Sequence, residues 1–228
     1  MKLSVAMTRR ETLLGWIFLP VSLFILPGLI GILNARLAEP LSDTIINILY
    51  FALNFLGVAL IFHRFLLTSI QKAWQNRWKC LRFAALGFLF YYIAMLLISY
   101  GIMKFYPDFS NVNDATIIAL AEEHRTLMTF CTVLLVPVAE ETLYRGLFFQ
   151  GLHHRSRLLA YSISTLMFAS IHVFGYIGLF DGTTLLLCFL QYLPAGIALA
   201  WTYEKADTII APMLMHITIN QIGMSAMR

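Results

Sequence analysis

Six side chains of this chain can do chemistry and stand where such side chains are costly: Glu140, Glu141, Arg145, His172, His216 and Asn220. All lie within apolar runs. Glu140-Glu141-Thr142-Leu143-Tyr144-Arg145 follows Leu134-Leu135-Val136-Pro137-Val138-Ala139 and precedes Gly146-Leu147-Phe148-Phe149. A charge at bilayer depth costs about 2.5 to 3.5 kcal/mol on insertion scales. On a helix Glu141 and Arg145 are i and i+4 with the acid first, the favourable order for an ion pair. Glu140 then points about 100° away. Glu141 and Arg145 are expected to neutralise each other and fix the helix, leaving Glu140 free to face a polar cavity. His172 follows Phe168 by one turn, and His216 and Asn220 share one helix face.

Each feature alone has a bland explanation. An exposed helix end would account for Arg145, which precedes a basic connection. A satisfied core hydrogen bond would account for His172. A bond across the bundle, worth about 0.6 kcal/mol, would account for His216 or Asn220. Three such constellations on three apolar helices each need polar partners, and the cheapest partners are one another. A carboxylate and an imidazole can bind a water and remove its proton. A second histidine and an asparagine amide can donate to a developing oxyanion. The set suits attack of water on a carbonyl, hence peptide or ester hydrolysis, with no serine or cysteine obviously required. Glu140, His172 and His216 could instead hold Zn²⁺ with water in an open position. Residue types leave these two readings open; HExxH on one helix is absent.

Glu140-Glu141-x-x-x-Arg145, Phe168-x-x-x-His172 and His216-x-x-x-Asn220 resemble, in order, the three motifs of the CPBP family. This is the CAAX-protease and bacteriocin-processing family, also called Abi. The resemblance runs from about Leu127 to the C-terminus and implies an intramembrane glutamate-type endopeptidase. By it, Glu140 is the general base on water and His172 helps bind that water. His216 and Asn220 line the oxyanion hole, and Glu141, Arg145 and Phe168 support them. No cofactor is implied; the alternative, a zinc-dependent protease, uses Glu140, His172 and His216. Prenylated C-terminal peptides are substrates of eukaryotic and some archaeal relatives. The short chain reads as bacterial, so another peptide or a membrane protein is the expected substrate.

The elements that must position these residues follow from composition. Of 228 residues, 60% are apolar and 12% charged, and mean hydropathy is +0.77. Soluble domains are nearer half apolar and a quarter charged. Disorder, a nucleic-acid-binding module and an ordinary cytosolic enzyme are excluded. What remains is an all-α polytopic membrane bundle with membrane lipid as its surroundings and no nucleic-acid partner. Apolar runs fall at about 13–33, 44–67, 83–103, 126 to beyond 140, 158–180, 184–203 and 208–227, the last only marginally long enough to span. They predict about seven transmembrane helices in one domain, 1–228, with the motif-bearing core at about 127–228 and the catalytic residues in the C-terminal half.

Lys and Arg concentrate before the first run, in 63–82 and in 153–157, which places the N-terminus and these connections in the cytoplasm of a bacterial inner membrane. Seven spans would put the C-terminus outside. The basic connection after Arg145 predicts a site toward the cytoplasmic half. Pro20, Pro27 and Gly28 predict a kink in the first run, and Asp114 is expected to cap a helix from Ala115. His153 and His154 read as a solvated face, and Cys80, Cys131 and Cys188 as core or lipid-facing thiols. Two other functions compete. A non-catalytic scaffold or immunity protein would keep the cluster for binding. A transporter would relay protons through it, but no repeat relates the halves.

Overall fold

A computed structural model describes residues 3–226; Lys2 and Met227, used above, lie outside them. Among the described residues nine helices follow in order: α1 Arg9–Asn34, α2 Asp43–Ile61, α3 His63–Gln75, α4 Arg77–Phe105, α5 Val112–Glu123, α6 Arg125–His153, α7 Arg157–Phe174, α8 Gly182–Ala206 and α9 Ile210–Ala226. No β-strand occurs among the described residues beyond an isolated bridge between Ile177 and Phe180. The chain is thus the expected all-α polytopic bundle. Six of the helices (α1, α2, α4, α6, α7 and α8) are long and apolar enough to cross a membrane. The seventh run forms α9, whose 17 residues span about 25 Å. It starts just after the turn at Asp207, and Met224 near its far end packs with Ala121 and Met128.

The ends are set by local chemistry. Thr8 and Glu11 form a capping box at α1. Ser42, Asn111, Ser156 and Asp181 cap α2, α5, α7 and α8. Asn111, not Asp114, therefore starts the third-loop helix, and Asp114 falls in its first turn. The second apolar run breaks at Phe62, so residues 63–67 belong to α3 rather than to the span. The buried Glu11 carboxylate accepts from the Phe65 backbone N–H at 2.8 Å, capping α3 from a distant segment. On α3, Phe65, Ser69 and Ala73 are buried while Leu67, Ile70 and Trp74 are exposed between basic residues, as in a helix lying at a membrane interface. At Pro20 the first helix continues through a π-helical turn, Val21–Ile25, instead of ending.

At the basic end of the bundle, Lys72 on α3 and Ser4 both donate to Asp207, the left-handed residue after α8. Burial alone would raise the Asp207 carboxyl, but Lys72 and Ser4 outweigh it and hold it below its usual range. His153 is not solvated as expected: it meets Glu204 at 2.9 Å, which also accepts from Arg157 and Tyr161.

Burial separates the spans. In α1, α2 and α4 only 11% of the apolar window is buried, against 44% in α6 and α8, so α6 and α8 form the centre and the others face lipid. The contact of α4 with α8 needs Gly87. A Cβ there would lie 1.9 Å from Thr202 Oγ1 and 3.0 Å from Met215 Sδ. Gly87→Ala is expected to lose about 1 to 3 kcal/mol of stability. Gly101→Ala on the same helix, with nothing within 4 Å, should gain up to about 1 kcal/mol. Unfolding of both variants in detergent checks this, and equal effects would mean that the α4–α8 contact is not close-packed.

Candidate active site

The three motifs converge. Glu140, Phe168, His172, His216 and Asn220 line one cavity of about 1030 Å³, together with side chains of α1, α2, α4, α5 and α8. α6 carries Glu140 on a stretch of helix bounded by two π-helical segments, Cys131–Leu135 and Thr142–Phe149. Such segments widen the turn and leave backbone groups out of register, which is why they recur at functional sites.

Glu141 and Arg145 pair as expected, at 2.9 Å, and both side chains have 0% exposure. Glu141 does more than neutralise. The oxygen that meets Arg145 also meets His216 Nδ1 at 2.9 Å, so the first motif holds the third in place. Arg145 also donates to the Gly196 carbonyl on α8 at 3.1 Å, and its guanidinium lies 4.4 Å from the centre of the Phe168 ring. Phe168 touches the rings of His172 and His216 as well. It is the apolar hub on which the charged and imidazole groups are seated.

Glu140 faces the cavity. Its Oε2 is buried and has no hydrogen-bond partner among the described residues. His172 Nδ1 meets the Phe168 carbonyl at 2.7 Å. A carbonyl only accepts, so the proton sits on Nδ1 and Nε2 keeps its lone pair. The His172 ring also lies on Tyr192, centroids 4.1 Å apart.

Asn220 donates to the Thr132 carbonyl at 2.8 Å. The reason lies in the backbone register. In the Cys131–Leu135 segment the Val136 N–H bonds to the Cys131 carbonyl, five residues back. In that register the Thr132 carbonyl faces residue 137, which is proline and has no N–H. The Asn220 amide supplies the missing donor and keeps a second N–H for the cavity. Asn220→Leu is expected to cost about 1 to 3 kcal/mol, the penalty of an unsatisfied carbonyl. The loss should shrink in a Pro137→Ala background, where residue 137 regains its N–H. Equal losses in both backgrounds, measured by denaturant unfolding, would break the link.

Several cavity residues went unnoticed in the sequence. Tyr50 and Asn54 on α2 line it, and Asn54 Oδ1 is buried without a partner among the described residues. The signal was Asn47 and Asn54, seven residues apart on one face of an apolar run. Asn111, Asn113 and Asp114 at the start of α5 line it too. Gln191, which its place in the sixth run allows to reach the site, does so and accepts from Asn111 at 2.8 Å. Asp114 keeps accessible surface because it lines the cavity. Enclosure by protein pushes its carboxyl above the ordinary range, against hydrogen bonds from Tyr192 and Asn113.

The cavity does not lie toward the basic connections. None of its lining residues comes from 63–82 or 150–157, whereas α5 and the adjoining ends of α1, α2, α7 and α9 all contribute. Arg145 misled the expectation: it is buried against Glu141, not stationed at an interface. Among the described residues no three His, Cys, Asp or Glu side chains stand as a group that could hold a metal ion, while Glu140, His172 and His216 line the same cavity. Glu141 meets His216 at Nδ1, which leaves Nε2 open.

Residues 122–222 match the family model described as "Type II CAAX prenyl endopeptidase Rce1-like". The UPF0177 protein YxdF of Lactococcus lactis subsp. lactis (strain IL1403) is 27% identical over 95 residues, 42% of this chain and 47% of that protein. The match thus spans about half of the relative's length. No solved structure matches the chain. The matched segment, a little under half of the chain, contains all three motifs, and over it this multi-pass membrane protein is similar to the Rce1-like CAAX endopeptidases.

Proposed function

We propose that this chain is an intramembrane endopeptidase in which Glu140 activates water without a metal. The observation that carries the reading is a buried carboxylate oxygen with no partner among the described residues, Glu140 Oε2, in a cavity shared with His172, His216 and Asn220. Water is held between Glu140 and the free Nε2 of His172. Glu140 takes a proton as the water oxygen bonds to the peptide carbonyl carbon. The carbonyl oxygen becomes an oxyanion facing His216 and the spare N–H of Asn220. His216 donates from Nε2 only when both ring nitrogens carry protons. In that form Glu140, Glu141, Arg145 and His216 sum to zero charge, and Glu141 orients the ring from Nδ1. Glu140 returns its proton to the leaving nitrogen as the C–N bond breaks. The substrate is a peptide or a membrane protein that reaches the cavity from the lipid or from the α5 side. Lys and Arg at the opposite end support a cytoplasmic N-terminus, in a bacterial inner membrane.

The test is cleavage of a panel of peptides and membrane proteins by purified protein in liposomes. Wild type and Glu140→Gln are compared, each with and without a strong chelator. Cleavage by wild type alone, unchanged by chelator, is expected. Equal cleavage by both proteins would remove Glu140 from its role. Chelator-sensitive cleavage restored by Zn²⁺ would replace this mechanism with a metal-dependent one.

A further inference from the structure

We propose that Tyr192 on α8 is the positioning residue for His172, and that side chains of α5 clamp it. The inference rests on the catalytic reading of His172 above and extends it to an element outside the motifs. His172 is held at one nitrogen by the Phe168 carbonyl, which fixes its tautomer, and the Phe168 ring lies 4.7 Å from its own. Tyr192 supplies a further constraint, from another helix. Its ring lies 4.1 Å from the His172 ring, the planes 26° apart. Its hydroxyl donates to Asp114 Oδ1 at 2.9 Å and receives a hydrogen bond from Asn113 at 3.0 Å. Asn111 Oδ1 lies 3.3 Å away.

A tyrosine needed only for packing would not require three polar partners on one helix. Those partners share the first turn of α5, because Asn111 caps that helix and Asn113 and Asp114 follow it. α5 is not among the spanning helices; it joins α4 to α6 at the end of the bundle toward which the cavity extends. The docking of this connecting helix is therefore read by the water-binding histidine through one aromatic ring. Tyr192 needs no contact with substrate for this role.

Two readouts test the proposal. The first needs no activity: ring-¹⁵N spectra of histidine-labelled protein, with the His172 signals assigned by their loss in His172→Gln. Wild type should show one neutral tautomer protonated on Nδ1. Tyr192→Leu should show a mixture or exchange broadening. The second is kinetic. Tyr192→Leu should lower kcat about 100-fold with KM within about twofold, as expected for a misplaced catalytic group. Tyr192→Phe keeps the ring and loses the clamp, and should lower kcat about five- to tenfold, the worth of one hydrogen bond. Asp114→Leu should match Tyr192→Phe, the two should not add in the double variant, and Asp114→Asn, which keeps an acceptor, should restore most of the loss. If Tyr192→Leu does not fold, the Tyr192→Phe and Asp114 series decides alone. Wild-type His172 signals and wild-type kcat in these variants would overturn the proposal. Cleavage surviving in Glu140→Gln would instead overturn the catalytic reading, and the spectra would still judge the clamp.

Discussion

Glu140→Gln protein is expected to fold at least as well as wild type while its kcat falls by about 10²- to 10⁴-fold, the usual contribution of a general base. The two halves of this expectation have separate origins. Glu140 Oε2 is buried and unpartnered among the described residues, so the native state bears the desolvation cost of a carboxylate for which folding returns no hydrogen bond there at that atom. Gln keeps the shape and removes the charge. Glu141, one residue on, should behave in the opposite way under the same chemical change. It accepts from Arg145 and His216 in a fully buried setting, and Glu141→Gln leaves the Arg145 charge without a counter-charge. Activity on a cleavable substrate and unfolding midpoints in detergent, measured for both variants, check the pair. A Glu140→Gln protein whose stability falls along with its activity would make Glu140 a structural residue.

Adjacent glutamates with different duties were legible before any coordinates, because helical geometry alone turns them apart and puts Arg145 under Glu141. The convergence of the motifs was legible for a similar reason: polar groups on separate apolar helices have few partners but one another. What stayed hidden depends on backbone register and on long-range contacts. Asn220 could be placed on the His216 face, but its bond to Thr132 follows from a π-helical turn meeting Pro137, and apolar periodicity does not disclose such a turn. Glu141 reaching His216 links residues 75 apart in sequence. The cap at Asn111 was misassigned to Asp114 because both residue types cap helices and both precede the same apolar stretch. Tyr192 was overlooked because a tyrosine in a span reads as packing, and Asp114 was read as a cap, a role that does not point to a partner on another helix. The depth of the site was misjudged from Arg145 because a buried arginine and an interfacial one look alike in sequence; only the partner distinguishes them.

That partner sets the largest stability effect in the molecule. Arg145→Met should destabilise the protein by about 3 to 5 kcal/mol, the cost of breaking a buried pair by removing one member. The guanidinium is fully buried, bonds Glu141 at 2.9 Å and the Gly196 carbonyl at 3.1 Å, and lies over the Phe168 ring. Met fills much of the volume but leaves Glu141 charged, buried and attached only to His216. Arg145→Lys should recover little, because an ammonium cannot bond Glu141 and Gly196 in the fixed fork and also lie flat on an aromatic face. The double variant Arg145→Met with Glu141→Gln should regain part of the loss, since the uncompensated charge goes with the second change. Its kcat should stay low, because His216 Nδ1 would lose the carboxylate that orients the ring. Stability returning without activity separates the two uses of Glu141: to Arg145 it is a counter-charge, and to His216 it is the group that prepares an oxyanion donor. A double variant no more stable than Arg145→Met would place the cost in lost packing on Phe168 and Gly196 instead of in the stranded charge.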